Sequence, residues 1–341
     1  MSSDGIPATD ASWRKVLAPH MTPRLRPALL DVATSVVPYL GLMAAMFVAF
    51  RISYLLVLAL SILAAGFLVR TFIVFHDCAH GSFVGSKRAN AMLGAVLGVV
   101  LYTPFALWRH EHAVHHATNG DLDRRGVGDV QTLTVDEYRA RSWRGRFHYR
   151  LFRNPIVMFL IGPMWVLLIG PRLVKRGMRP RLRRSVLGTN LALAVVLAGL
   201  CWLVGWKELL LVQSPVLLLS GAVGIWLFYV QHQFEDAYWQ TGDAWSFEDA
   251  ALQGSSHLDL PRILRFFTGN IGLHHVHHLS ARIPNYNLQA AHKAGGLERV
   301  TTLSLRDGLR AVRLKLWDHD QRRLVTFREA NRNKSVTNAG I

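Results

Sequence analysis

The sequence predicts an all-α integral membrane protein with four transmembrane helices in two hairpins, further interfacial helices and a cytoplasmic histidine-rich cap. Three observations predict this fold class. The 341 residues are 51% hydrophobic, with a mean hydropathy of +0.21, yet they have a formal net charge of +17. The apolar residues form long uncharged stretches, and the arginines lie outside them. Three short runs contain most of the sixteen histidines, and soluble domains rarely combine these properties.

Residues 1–28 form a polar segment, interrupted by prolines, before the first apolar stretch. The segment contains Arg14, Lys15, Arg24 and Arg26, and it shows no small-residue cleavage site typical of a secretory signal peptide. Because basic residues beside a membrane span favour the cytoplasm, we expect this segment to be cytoplasmic.

The membrane domain is predicted over residues 29–300 and contains four apolar stretches near the roughly 20 residues that a membrane-crossing helix needs. The first pair consists of residues 29–50 and 52–69, and the second pair consists of residues 187–206 and 209–230. Arg51 separates the first pair and Lys207 with Glu208 the second, so each pair predicts a helical hairpin. A soluble protein with buried core helices would not explain four such stretches with no internal charge beyond Asp31.

Two shorter apolar stretches, 91–107 and 156–171, are predicted to be interfacial or re-entrant. The basic residues that flank the second are Arg139, Arg141, Arg144, Arg146, Arg150 and Arg153 before it, and Arg172, Lys175, Arg176, Arg179, Arg181, Arg183 and Arg184 after it. Basic residues concentrate in cytoplasmic loops, so a single crossing would place one cluster on the wrong side. If 91–107 crossed, the first two histidine runs would face opposite sides of the bilayer and could share no site.

The spacing of the histidines predicts metal binding. The histidines at repeating positions are His76 and His80, then His112, His115 and His116, then His274, His277 and His278. Spacings of three and four residues place each set on one face of a helix. A single H-x-x-x-H pair is weak evidence, but eight imidazoles exceed the three or four protein ligands of one zinc ion. Two metal ions are the simplest interpretation.

The remaining histidines and acids receive weaker assignments. His232, directly after the fourth span, is predicted as a ninth ligand, the alternative being a hydrogen-bonded interfacial histidine. The histidines off the repeating pattern, His110 and His275, are predicted as spacers or as partners of ligands. Acids that could be such partners are Asp77, Glu111, Glu235 and Asp236. His257 stays undecided, and the histidines predicted to lie at the surface are His20, His148, His292 and His319.

The two cysteines, Cys78 and Cys201, are far apart and lack C-x-x-C spacing, which excludes a disulfide framework, a zinc ribbon and a rubredoxin-like unit. Cys78 lies inside the first histidine run and is predicted to be a small buried residue rather than a ligand.

The histidine pattern on a four-span scaffold resembles the membrane fatty acid desaturase family. The strings WRHEHAVHHATNGDLDRRGVGD, QHQFED and GNIGLHHVHHLSARIPNYNL are similar to those of bacterial acyl-lipid desaturases of the Δ12 (omega-6) type, from about residue 30 to 290. Imidazole suits zinc, copper, iron and nickel alike, so the metal comes from the resemblance. It implies that two irons are bound by His76, His80, His112, His115, His116, His232, His274, His277 and His278.

The resemblance implies an oxidoreductase that inserts a double bond into a long-chain, lipid-linked acyl chain with O2 and two electrons. No heme-binding HPGG string occurs, so we expect an external donor such as ferredoxin or another small acidic redox carrier. Animal acyl-CoA members have an asparagine that holds a water where this chain has Phe228, and that water is not carried over. The expected location is a bacterial inner membrane, with the metal site and both termini on the cytoplasmic side.

Alternative functions remain open at this point. A related di-iron lipid hydroxylase or carotenoid ketolase would share the metal site and differ in product. A membrane metal transporter would place its ligands along the spans near the midplane, whereas these cluster at span ends. Nucleic-acid binding is not expected, because no basic patch with interleaved aromatic residues occurs apart from the apolar spans.

The C-terminal segment, residues 301–341, mixes arginine with apolar positions and is predicted to be an amphipathic helix. It could pack on the domain as a cytoplasmic cap or attach to the membrane surface. The last dozen residues are polar and predicted to be disordered.

Overall fold

The structure, a computed structural model, describes residues 10–128, 130–297 and 300–337. Helices dominate it. In chain order they are α1 (Asp10–Leu17), α2 (Leu25–Phe50), α3 (Tyr54–His80), α4 (Lys87–Val100), α5 (Phe105–Thr118), α6 (Val135–Ala140), α7 (Trp143–Phe152), α8 (Val157–Arg172), α9 (Pro180–Val204), α10 (Trp206–His232), α11 (Phe247–Leu252), α12 (Arg262–Phe267), α13 (His274–Leu279), α14 (Asn285–Ala294), α15 (Leu305–Ala311) and α16 (Phe327–Thr337). Helix α8 is irregular, with two π-helical turns before a 3₁₀ turn.

The strands are short and contribute little of the architecture. They are β1 (Leu133–Thr134), β2 (His257–Asp259), β3 (Thr302–Ser304), β4 (Leu316–Asp318) and β5 (Arg323–Val325). They form a sheet of order β1-β4-β5 and a parallel pair β2-β3.

Four helices, α2, α3, α9 and α10, are long and apolar enough to cross a membrane. Two bent pairs, α4 with α5 at 105° and α7 with α8 at 56°, raise the number to six if each pair counts as one span. Many large apolar side chains on the long helices are exposed, Trp202 by 88%, as expected for surfaces that face lipid. The predicted all-α membrane fold class is confirmed.

The helix ends differ from the predicted ones in two places that matter. Helix α3 continues past residue 69 to His80, so that the first histidine run forms its last turns. The second hairpin turns at Gly205 (φ +91°), whereas Lys207 and Glu208 lie in the first turn of α10. Glycine fits this positive φ without a Cβ clash. Charged residues are compatible with the first turn of a helix, so the two charges did not mark the position of the hairpin turn.

The main apolar core joins α2 and α3 to α10. Buried Met46 and Val57 from the first hairpin pack in one cluster with Val212 and Val216 of α10. The shorter helices and strands form a cap beyond the ends of α3 and α10, where the first histidine run, on α3, and His232, on α10, meet the runs on α5 and α13.

The prediction of one C-terminal amphipathic helix is wrong. Residues 302–337 form β3, α15, the β4-β5 hairpin and α16. Ser304 and Asp307 make a capping box that begins α15, and Leu316 pairs with Leu133 of β1. These pairings with distant residues override the local helical pattern. Of the tail predicted to be disordered, residues 338–341 lie outside the described part of the chain.

Candidate metal centre

The nine histidines predicted as ligands lie together in two adjacent groups. The five of one group are His76, His80, His112, His116 and His277, and the four of the other are His115, His232, His274 and His278. Within each group, one ring nitrogen from every residue lies within 4.8 Å of the others. Seven of the nine are buried, and His80 and His116 are half-buried.

Each H-x-x-H-H run divides between the two groups. On α5, His112 and His116 are four residues apart and belong to the group of five, while His115 points to the group of four. On α13 the division is reversed, with His274 and His278 in the group of four and His277 in the group of five. The spacing therefore lets one helix contribute to two neighbouring sites.

The nitrogens approach each other as ligands of a common ion would. Nε2 of His232 lies 3.1 Å from Nε2 of His115 and 3.0 Å from Nε2 of His274. In the other group, Nε2 of His116 lies 3.1 Å from that of His112 and 3.0 Å from that of His277. Two nitrogens, each about 2.1 Å from one ion, lie about 3.0–3.4 Å apart at bond angles of 90–110°.

Hydrogen bonds at the outer ring nitrogen orient two of these imidazoles. Nδ1 of His232 lies 3.0 Å from the carbonyl oxygen of Gly254, and Nδ1 of His76 lies 3.0 Å from Oδ1 of Asp77. If Nδ1 donates in each case, the lone pair of Nε2 faces the group, the arrangement usual for metal-binding histidines. Nε2 of His80 and Nε2 of His278 are buried and have no hydrogen-bond partner in the described part of the chain.

The electrostatics favour neutral imidazoles. Burial lowers the pKa of His112, His116, His274, His277 and His278 well below the usual value, and the neighbouring histidines lower it further. A metal ion binds the neutral form of histidine, so these side chains are ready to coordinate at neutral pH without losing a proton.

The donor set fits a pair of transition-metal ions. Neither group contains a carboxylate or a thiolate, which disfavours calcium and magnesium. Five imidazoles exceed the tetrahedral shell of zinc and suit an ion of higher coordination number. Buried nitrogens without partners would be unfavourable if no ion satisfied them.

Aromatic side chains line the two groups. Trp108 stacks on His112 with ring centres 4.3 Å apart, and Phe228 lies 5.0 Å from His115 and 5.6 Å from His232. Beside His232 is a cavity of about 10 Å³, which Phe228 and Trp239 also line. A space of that size is at the lower limit for one water.

Three further histidines form a separate cluster. Nε2 of His275 lies 3.1 Å from Nδ1 of His292, and the His257 ring centre is 5.0 Å from that of His292. The prediction that His292 is a surface residue is wrong, since it is 9% exposed. It follows the buried Leu288 by four residues, so the helical period could have placed it on the buried face of α14. His275 bonds within this cluster rather than to a predicted ligand.

The other predicted residues lie as follows. His110, His148 and His319 are exposed, and His20 is half-buried. Cys78 is buried and belongs to neither group. Among the candidate acids, Asp77 contacts a grouped histidine, whereas Glu235 pairs with Arg323. Gly254, which holds His232 through its backbone, had no signal in the sequence.

The sequence is similar to those of known proteins. A family model described as fatty acid desaturase matches residues 52–299, a range that includes all three histidine runs. A fatty acid desaturase of Bacillus subtilis (strain 168) is 46% identical over 329 residues, which cover 96% of this chain and 94% of that protein.

Two cyanobacterial proteins from Synechocystis sp. are more distant relatives. An sn-1 acyl-lipid omega-3 desaturase (ferredoxin) is 30% identical over 240 residues, 65% of this chain and 62% of that protein. An sn-1 oleoyl-lipid 12-desaturase is 28% identical over 236 residues, 66% of this chain and 64% of that protein. The similarity to these proteins covers about two thirds of the chain.

Proposed function

The chain belongs to the fatty acid desaturase family of oxidoreductases, and we propose that it inserts a double bond into a long-chain acyl group carried by a membrane lipid. The observation that carries this proposal is the pair of adjacent all-imidazole groups, to which the ends of two helices long enough to cross a membrane contribute His76, His80 and His232. The names of the two cyanobacterial relatives, both acyl-lipid or oleoyl-lipid desaturases, support the lipid-linked substrate.

The proposed cofactor is a pair of irons, held by the nine histidines of the two groups. With dioxygen, two electrons and two protons, such a pair supplies an oxidant strong enough to remove one hydrogen from each of two neighbouring methylenes, with two waters as the other product. Iron is proposed because the family resemblance implies it, and the group of five imidazoles is compatible with an ion of higher coordination number than zinc.

The protein would contribute binding and orientation. Trp108 and Phe228 are aromatic side chains in contact with the histidines, and they would hold methylenes close to the centre. Each methylene buried contributes about 0.8 kcal/mol, so a long chain binds through its length. The hydrogen bonds that Nδ1 of His232 donates to the carbonyl of Gly254 and Nδ1 of His76 donates to Asp77 keep the two imidazoles in a fixed orientation.

The electrons would come from a small acidic carrier such as ferredoxin. One relative has ferredoxin in its name, and the net charge of +17 favours encounter with an acidic partner. We also propose that the protein lies in a bacterial inner membrane with residues 1–28, the cap and residues 301–341 in the cytoplasm, because basic residues flank the apolar helices on that side.

The proposal is tested by the lipids that the protein makes. The chain is expressed in a bacterium that lacks polyunsaturated lipids, with a compatible ferredoxin system, and its fatty acyl methyl esters are analysed by mass spectrometry. We expect a new double bond with the wild-type protein and none with His115→Ala. The control variant His148→Ala, at an exposed position, should make the same double bond as the wild type. A hydroxylated acyl chain or an oxidised carotenoid instead would identify a related oxygenase, and no new product from iron-loaded protein would contradict the proposal.

A further inference from the structure

A buried ion pair lies inside the first hairpin. Arg70 of α3 donates to Oδ1 of Asp31 on α2, and both side chains are largely or fully buried. Asp31 is the one acidic residue of α2, and Arg70 is the one arginine or lysine of α3. Ionisable side chains in apolar spans are unfavourable unless they have a partner, and they usually mark a function.

Asn285 connects this pair to the metal centre. Its side-chain Nδ2 donates to Oδ2 of Asp31 at 2.8 Å, and its backbone N–H donates to Oδ2 of Asp77 at 2.6 Å. The other carboxylate oxygen of Asp77 lies 3.0 Å from Nδ1 of His76. Asp31, Asp77, Asn285 and His76 are each at most 5% exposed. The contacts are therefore continuous from Arg70 to His76 and shielded from water.

The network ties four helices to one another. Besides Asp31, Arg70 donates to the backbone carbonyl of Phe266 on α12, and its guanidinium lies 4.2 Å from the centre of the Phe266 ring. Asn285 begins α14, so α2, α3, α12 and α14 all meet here. Both oxygens of Asp77 have assigned partners, which leaves its carboxylate a single orientation.

We infer that Arg70, Asp31 and Asn285 are positioning residues for His76, acting through Asp77. The inference rests on the proposed role of His76 as a metal ligand. The backbone N–H of Asn285 holds the carboxylate of Asp77 beside Nδ1 of His76, and the ion pair holds the side chain of Asn285. The imidazole therefore presents Nε2 to the metal in one orientation. Loss of partners of this kind lowers metal affinity about 10–100-fold in other proteins.

A purely structural role for the same contacts makes a different prediction. If the network only joined the helices, its loss would lower thermal stability without a specific effect on metal binding. Asn287 provides the matched control, because it lies on the same turn of α14, is 5% exposed, and accepts from Arg24 while donating to the carbonyl of His20. Neither partner is a histidine of the two groups, and neither has a hydrogen bond to one among the described residues.

The experiment is a titration of the metal-free full-length protein in detergent with Co²⁺, followed by the visible absorption of the bound ion. Asn285→Ala should weaken the binding of one Co²⁺ at least 10-fold and shift its absorption bands, while Asn287→Ala binds as the wild type does. Arg70→Met should also weaken Co²⁺ binding. Arg70→Lys keeps the charge and should retain most of the wild-type affinity. Thermal unfolding of each metal-free variant is measured in parallel.

Two results would overturn the inference. Equal Co²⁺ affinities for Asn285→Ala and Asn287→Ala, with equal losses of melting temperature, would mean that the network only holds the helices together and does not position His76. A wild-type protein that binds no Co²⁺ would overturn the ligand assignment in the proposed function and the network with it. The double bond made in cells is not a readout in this experiment, so the two failures can be told apart.

Discussion

Nε2 of His115 lies 3.1 Å from Nε2 of His232, although the two residues are 117 positions apart in the sequence. His232 is the last residue of α10, and its Nδ1 is already bonded to the carbonyl of Gly254. Nε2 is therefore the nitrogen that His232 can offer to an ion shared with His115.

The first prediction concerns this histidine outside the three runs. His232→Ala should lower iron from about two to about one per chain and decrease desaturation at least 100-fold, because it removes a proposed ligand from the group of four. Metal content is measured by mass spectrometry on purified protein. His148→Ala, at an exposed position, serves as control. Two irons retained by the His232 variant would show that this histidine does not bind metal.

Local patterns account for the parts of the site that the sequence could predict. The apolar length of α2 and α10 and the four-residue repeat from His112 to His116 are properties of neighbouring residues. Contacts between distant segments were not predictable in this way. They include the carbonyl of Gly254 at His232, the bond from Asn285 to Asp31, and the strand pairing that replaces the expected C-terminal helix.

The second prediction concerns the cluster of His257, His275 and His292. His292→Ala should lower the free energy of unfolding by about 1–3 kcal/mol, because it leaves a nitrogen of buried His275 without its partner. Iron content should stay near two per chain, since His292 belongs to neither group. Thermal unfolding of the purified protein measures the effect, with the exposed His319→Ala as control. A variant as stable as the control would contradict the buried contact.

The third prediction concerns pH and Lys315. Burial lowers the pKa of Lys315 from 10.5 to about 7, and the nearby guanidinium of Arg153 adds to the shift. Its Nζ is buried, has no hydrogen-bond partner among the residues that the structure describes, and lies 5.6 Å from the centre of the Tyr229 ring. Between about pH 7 and 10.5, the unfolded chain holds a proton at this site that the folded chain has lost. Stability should therefore rise with pH in this window, by at most about 1.4 kcal/mol per pH unit.

Lys315→Met removes the titrating group and should flatten this dependence. Melting temperatures of wild type and variant are measured at half-unit steps from pH 6.5 to 9.5. The variant should exceed the wild type by most at the acidic end of this range. Lys293→Met, at an exposed position, should follow the wild-type curve. A constant difference between wild type and Lys315→Met across the range would show that Lys315 is charged in the folded protein.

The fourth prediction concerns the orientation in the membrane. A tag inserted at Met178, between α8 and α9, should be cytoplasmic, and one inserted between Gly205 and Leu209, at the turn of the second hairpin, should be outside. The reason is that basic residues surround the first position and almost none surround the second. Labelling of intact and of permeabilised cells measures both. Labelling of the Met178 tag in intact cells would mean that the histidine runs lie on opposite sides of the bilayer, which would contradict a shared metal site.

The last prediction concerns a close approach beneath the metal centre. A Cβ at Gly94 of α4 would overlap the ring of Phe105, the first residue of α5, which carries His112. Gly94→Ala should therefore displace Phe105 and lower the free energy of unfolding by about 1–3 kcal/mol. A Cβ at Gly199 of α9 would have no atom within 4 Å, so Gly199→Ala should leave stability unchanged or higher.

Because Phe105 also packs against Phe75, the residue before His76, the Gly94 variant should bind Co²⁺ more weakly as well. Unchanged melting temperature and unchanged Co²⁺ affinity in Gly94→Ala would mean that α4 and α5 do not pack this closely.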